Sequence, residues 1–130
     1  MIEFRNERVA SEWAEAIDNG RLIVPVVLWA DALAVSLGAP GITLTNILRT
    51  PQEQIDLCRQ MGVEPYRSVH EFWRGVDFSC AGLSDTMTEI IGGVNLMYRY
   101  GGTFVVAAYH SAGTAPHVHL QVPNGSVWRV

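Results

Sequence analysis

The sequence contains no lysine, and its nine basic residues are arginines scattered along 130 positions. With a formal net charge of -4, it lacks the clustered cationic surface that nucleic-acid binding requires. Cysteine is almost as scarce. Cys58 and Cys80 form no C-x-x-C pair and are too few for a disulfide framework, so both read as reduced core thiols, with a single disulfide between them as the alternative. There is no low-complexity tract, internal repeat or linker. The Gly92-Gly93 pair lacks the flanking residues of a phosphate loop. The longest apolar run, Leu22 to Leu37, is shorter than the ~20 residues of a spanning helix and is interrupted by Asp31. The acidic segment before it is unlike the basic start of a signal peptide.

What remains is 48% hydrophobic and 17% charged, a balance that suits a single globular domain over residues 1–130. Val9, Trp13, Ala16 and Ile17 recur at helical spacing, and Asn19-Gly20 closes that segment. Pro25 suits a first helical turn and Gly38 a helix end, which predicts a buried helix between them. "GITLTNILR" alternates at Ile42 and Leu44, less cleanly at Ile47, and reads as a strand. Thr50-Pro51-Gln52-Glu53 is a helix start with an N-cap, a proline at the first helical position and a capping-box glutamate; Gly62 ends that helix.

"GVDFS" predicts a short strand. Ser84 or Asp85 is expected to cap a further helix that runs to Gly101-Gly102. "TFVVAAY", "HVHLQV" and "SVWRV" read as closing strands. Helices first and strands last predict an α+β domain with a small antiparallel sheet packed against helices.

Chemistry-bearing residues concentrate in two places. His70 and Asp77 stand seven apart in "YRSVHEFWRGVDFS", and His117 and His119 flank one valine in "APHVHLQVP". Residues i and i+2 of a strand share a face, so His117 and His119 point the same way. Catalytic zinc commonly takes three His, Asp or Glu ligands and keeps a fourth position open. His70, Asp77 and one of the two late histidines would supply that number, with the other histidine placed for proton transfer.

These residues carry a resemblance. "SVHEFWRGVD" is similar to the signature S-x-H-x-x-G-x-A-x-D of the zinc peptidases that comprise D-Ala-D-Ala carboxypeptidases and related peptidoglycan endopeptidases, including many phage endolysins. The wider superfamily, with lysostaphin-type and hedgehog-type zinc domains, joins H-x6-D to a late H-x-H. Both elements stand here in order, and "ILRTPQEQ" resembles the family's arginine-bearing strand and following helix.

The resemblance implies a hedgehog/DD-peptidase-like fold and one Zn2+ per chain, held by His70, Asp77 and His119. His117 becomes the non-ligating histidine beside the reacting carbonyl, and Ser68 and Arg49 fall on substrate-binding or oxyanion-stabilising positions. The implied activity is hydrolysis of a peptide bond in bacterial peptidoglycan stem peptides, by an enzyme made in the cytoplasm and released onto the wall at lysis. A non-catalytic zinc-stabilised domain is the alternative. Two positions depart from the pattern. Trp73 stands where the family has glycine, which predicts a turn built differently. Pro116 stands where many members carry an acidic general base, leaving His117 as first candidate for that role and His110 as second.

Overall fold

A computed structural model describes residues 1–98, 104–111 and 115–123. The chain forms strand β1 (Glu3–Phe4), helices α1 (Glu7–Asp18) and α2 (Ile23–Ser36), and strand β2 (Thr43–Asn46). Helix α3 (Pro51–Met61), a 3-10 turn (Val69–Phe72) and strand β3 (Gly75–Ser79) follow, then helix α4 (Met87–Met97) and strands β4 (Ala107–His110) and β5 (His117–Gln121). The architecture is α+β, and the described residues form a five-stranded sheet in the order β1-β2-β3-β5-β4.

The sheet is mixed rather than antiparallel, because β1 pairs parallel with β2. Its two residues carry no readable alternation. They are held by tertiary contacts: the Asp31 carboxylate accepts the Ile42 N–H at 3.0 Å and lies 3.6 Å from the N-terminal ammonium. Gly41 (φ +126°) makes this possible, since a Cβ there would strike the Met1 backbone.

Local signals explain most of the remaining elements. Asn6 caps α1 by accepting from the Val9 N–H at 2.9 Å. Thr50 and Glu53 close a reciprocal capping box at the start of α3, and Gly62 ends that helix in the left-handed conformation. Helix α4 begins later than expected. Met87 is its first residue and Thr86 its N-cap, without a side-chain cap bond, whereas Ser84 and Asp85 are exposed in the preceding turn. The register shift between Leu44 and Asn46 explains the imperfect alternation of β2, because it lets Leu44 and Ile47 both be buried. The segments SVWRV and Gly101-Gly102 lie outside the described residues.

One face of the sheet makes the core. Leu44, Val76, Phe78, Val118 and Leu120 are fully buried together with Val26, Val27 and Ala30 of α2 and Ile90 and Val94 of α4. Gly93 permits the close approach of α4 to α2, where any larger residue would meet the Leu33 side chain. Asn95 pins β4 to α4: its Oδ1 accepts from Val106 and Ala107 N–H at 2.9 Å, and its Nδ2 donates to Ala107 O at 2.8 Å. No single helix among the described residues is long and apolar enough to cross a membrane.

On the surface, Arg8 of α1 forms a fork on Glu53 of α3 (2.7 and 2.8 Å) and also donates to Leu48 O at 2.9 Å. The Arg8 hydrogen bonds hold the Glu53 carboxyl down to about 2 from 4.5. Since the shift is downward, its stabilisation is complete above about pH 4.5 and is lost as pH falls toward about 2. Arg8→Ala should therefore cost up to ~1 kcal/mol at pH 7, as expected of a solvent-exposed pair. The stability gap between wild type and variant, measured by urea unfolding, should close as the pH is lowered through that window.

Candidate metal centre

The uncovered face of the sheet carries the polar residues. In β3 the alternation Val76-Asp77-Phe78 sends Asp77 away from the core, and Val118-His119-Leu120 does the same for His119 in β5. Asp77 and His119 are directly opposed in the β3–β5 ladder, and Ser79 opposes His117. His70 arrives from the 3-10 turn. That turn is fixed by a capping box in which Ser68 accepts from the His70 N–H and Glu71 accepts from the Ser68 N–H.

The turn closes at Trp73, the one non-glycine residue at positive φ among those described (φ 60°, ψ 24°). The left-handed conformation that glycine favours is thus present, built with tryptophan. Such strain typically costs ~1–3 kcal/mol. Opposing it, the indole packs against the hydrophobic core, and the Arg21 guanidinium sits 5.0 Å from its ring centroid.

His70, Asp77 and His119 are all buried, and each offers a ligand atom within 4.8 Å of the others. The donor chemistry is unusually well defined. His70 places Nδ1 3.1 Å from the Ile47 carbonyl and Nε2 3.2 Å from Asp77 Oδ2, and both of these oxygens accept. His119 Nε2 lies 3.1 Å from Gln121 Oε1. The Gln121 amide is oriented by donating to Val105 O at 3.0 Å, and on its other side His119 places Nδ1 2.8 Å from Asp77 Oδ1, so this ring too lies between two accepting oxygens.

A neutral imidazole can donate to only one of its two accepting partners, so keeping both outer hydrogen bonds would aim two lone pairs at one carboxylate. That arrangement is repulsive unless both rings take a second proton or a cation sits among the three groups. The group could hold a metal ion, and the outer hydrogen bonds from His70 and His119 to carbonyl oxygens are of the kind that orient metal-bound imidazoles. Burial alone would raise the Asp77 carboxyl; with the two rings donating N–H to it, their hydrogen bonds and charge outweigh this and hold it well below the usual carboxylate range.

The other expected residues surround this triad along an open groove of about 1200 Å³. His117 places Nε2 3.8 Å from Asp77 Oδ1 and Nδ1 3.0 Å from Ala115 O. His110 opposes His117 in the β4–β5 ladder and stacks on His119, with centroids 5.2 Å apart. Its imidazole is pushed down by burial and by the neighbouring histidines. Arg49 donates to Gln54 Oε1 at 2.6 Å and to Ser68 Oγ at 3.4 Å, and its backbone N–H donates to His70 O.

Pro116 lies at the exposed approach to β5 and offers no titratable group. Tyr66 lines the groove with more than half its surface exposed, whereas Phe72 packs under the Arg67 guanidinium. Cys80 points its thiol at Met87 Sδ (3.2 Å) rather than at the triad, and both cysteines are free.

Sequence reasoning missed three members. Gln121 orients His119, Asn46 approaches Asp77 Oδ2 at 3.5 Å, and buried Gln54 holds Arg49. Gln121 was within reach, since H-x-H-x-Q puts all three residues on one strand face.

Gly75 is the closest fit in the site. A methyl there would collide with Val69 Cγ2 and lie 3.3 Å from His119 Cε1. Gly75→Ala should weaken metal binding by an order of magnitude or more, in the ~10–100-fold range of disturbed outer contacts. Competition against a zinc-sensitive dye checks this. No protein-family model, curated protein or solved structure matches this chain.

Proposed function

We propose that the chain is a zinc-dependent peptidase that hydrolyses a peptide bond in peptidoglycan stem peptides. The observation that carries this reading is the convergence of His70 Nε2, His119 Nδ1 and the ionised Asp77 carboxylate beside a groove that also holds an arginine and a further histidine. Imidazole and carboxylate donors in this number suit zinc with one position left open. When bound, zinc supplies Lewis acidity, polarising a carbonyl and activating water near neutral pH.

The chain's own residues supply the rest. His117 is close enough to the triad to accept a proton on Nε2 and pass it to a leaving amine. Arg49, steadied by Gln54 and Ser68, presents a fixed charged fork for a substrate carboxylate or for the developing oxyanion. The resemblance of "SVHEFWRGVD" and "HVH" to the cell-wall peptidases supports the substrate class.

The test is zymography on purified cell walls with and without chelator, with the released fragments identified by mass spectrometry. Chelator-sensitive clearing with new peptide termini is expected; intact walls under zinc-replete conditions would reject the activity. Arg49→Ala should lower hydrolysis ~10²–10³-fold, as for removal of an oxyanion donor, with zinc content unchanged. Arg49→Lys should rescue poorly, because a point charge does not reproduce the fork. Pro116, at the position of the acidic base, favours a second reading in which the same zinc group stabilises a binding domain without turnover.

A further inference from the structure

The chain has four histidines, and all four gather at Asp77. His70 and His119 belong to the donor triad, whereas His110 and His117 do not. The latter two are directly opposed in the β4–β5 ladder, where facing Cβ atoms stand ~4.5–5.5 Å apart. Two imidazoles sharing one ion at ~2.0–2.1 Å in tetrahedral geometry place their ring centroids roughly 5 Å apart. His70 and His119 meet that condition, with centroids 5.2 Å apart and planes inclined at 66°. His110 and His117 nearly reproduce it, at 5.6 Å and 75°.

The pair His110–His119 has the spacing but not the orientation. Its rings are stacked at 8°, and two separate parallel planes share no point at which one ion could lie in both. By spacing and inclination the four rings sort into two pairs, of which His70–His119 joins Asp77 in a group whose ligand atoms lie within 4.8 Å of one another. They also share an anion. Asp77 Oδ2 faces His70, while Oδ1 lies 2.8 Å from His119 Nδ1 and 3.8 Å from His117 Nε2. A carboxylate has about four lone-pair sites, and neighbouring ions in two-metal centres are ~3.5–4 Å apart.

We infer that His110 and His117 form a second, weaker divalent-cation position next to the triad, with Asp77 as the shared anion. Its imidazole donors select zinc, copper(II) or nickel(II) over magnesium or calcium. It is weaker because it has two donors of its own where the triad has three. This position does not depend on the peptidase reading, since it concerns binding; an ion held there occupies His117 Nε2 and so opposes proton transfer by that residue.

The experiment is a titration of metal-free protein with zinc, followed by calorimetry and by metal analysis after equilibrium dialysis. Wild type should take up two equivalents in two steps. His110→Ala, at an exposed strand end, should take up one, with the tighter step unchanged. His70→Ala should lose the tighter step. Excess magnesium should compete with neither. Wild type that saturates at one equivalent overturns the inference, and so does His110→Ala that still binds two; the wild-type stoichiometry decides the matter even if a variant folds poorly.

Discussion

His119→Ala should leave the protein without tightly held zinc, less stable and inactive, whereas His117→Ala should stay folded, keep its tight zinc and turn over ~10²–10⁴-fold more slowly. The two histidines share a strand and a face, so proximity alone does not separate them. Their hydrogen bonds do. His119 is buried, directs Nδ1 at Asp77 from 2.8 Å and is locked from behind by Gln121. His117 is half-buried and no closer than 3.8 Å to that carboxylate.

Removing His119 takes away a donor and the closest contact of Asp77, a buried carboxylate, leaving His70 at 3.2 Å, Asn46 at 3.5 Å and His117 at 3.8 Å. Metal affinity that a native site contributes to folding is lost with it. Metal analysis, thermal unfolding with and without zinc, and wall hydrolysis together measure the division. If His117→Ala is the metal-poor variant, the roles are exchanged. If both variants keep metal and activity, this strand does not build the site.

Phe78→Ala should destabilise the domain by ~3–5 kcal/mol. Phe78 is fully buried and, among the described residues, the largest such side chain, on the central strand between two residues of the polar face, Asp77 and Ser79. Its strand packs against β2, β5 and α2, so no one element can relax to fill the cavity. Phe78→Leu should cost far less, because most of the volume is kept. Chemical denaturation of the zinc-loaded protein measures both. A loss below ~1 kcal/mol for the alanine variant would mean that the sheet and helices repack freely, contrary to the close fit at Gly93 and Leu33.

The triad was legible because its members obey local rules. H-x6-D spans a capped turn and the first residues of a strand, and H-x-H is a strand pattern whose period states which side chains share a face. The helix starting at Thr50 was legible for the same reason, with cap, proline and glutamate within four residues.

What stayed hidden depends on partners far away in sequence. β1 is a strand because Asp31 and Gly41 bring Met1 beside β2. Asn46 reaches Asp77 because β2 pairs with β3 across a register shift. The Ile47 carbonyl that anchors His70 Nδ1 has no sequence signature at all, since every residue has a carbonyl. The start of α4 was misplaced because Ser84, Asp85 and Thr86 are all plausible caps, and the burial of Leu83 sets where the helix begins.

Along β3 and β5, core-forming and polar side chains alternate residue by residue, Val76-Asp77-Phe78 against Val118-His119-Leu120. This alternation makes the two strands sensitive to insertions and deletions in a way that substitutions do not reveal. Loss of a single residue from either strand would turn every subsequent side chain over, driving histidine or aspartate into the apolar layer and valine or phenylalanine into the groove. Chemistry and folding would fail together. Length changes should therefore be tolerated in the exposed turns around Gly62 and Gly82, where an added Cβ meets nothing, and rejected within Gly75–Ser79 and His117–Gln121.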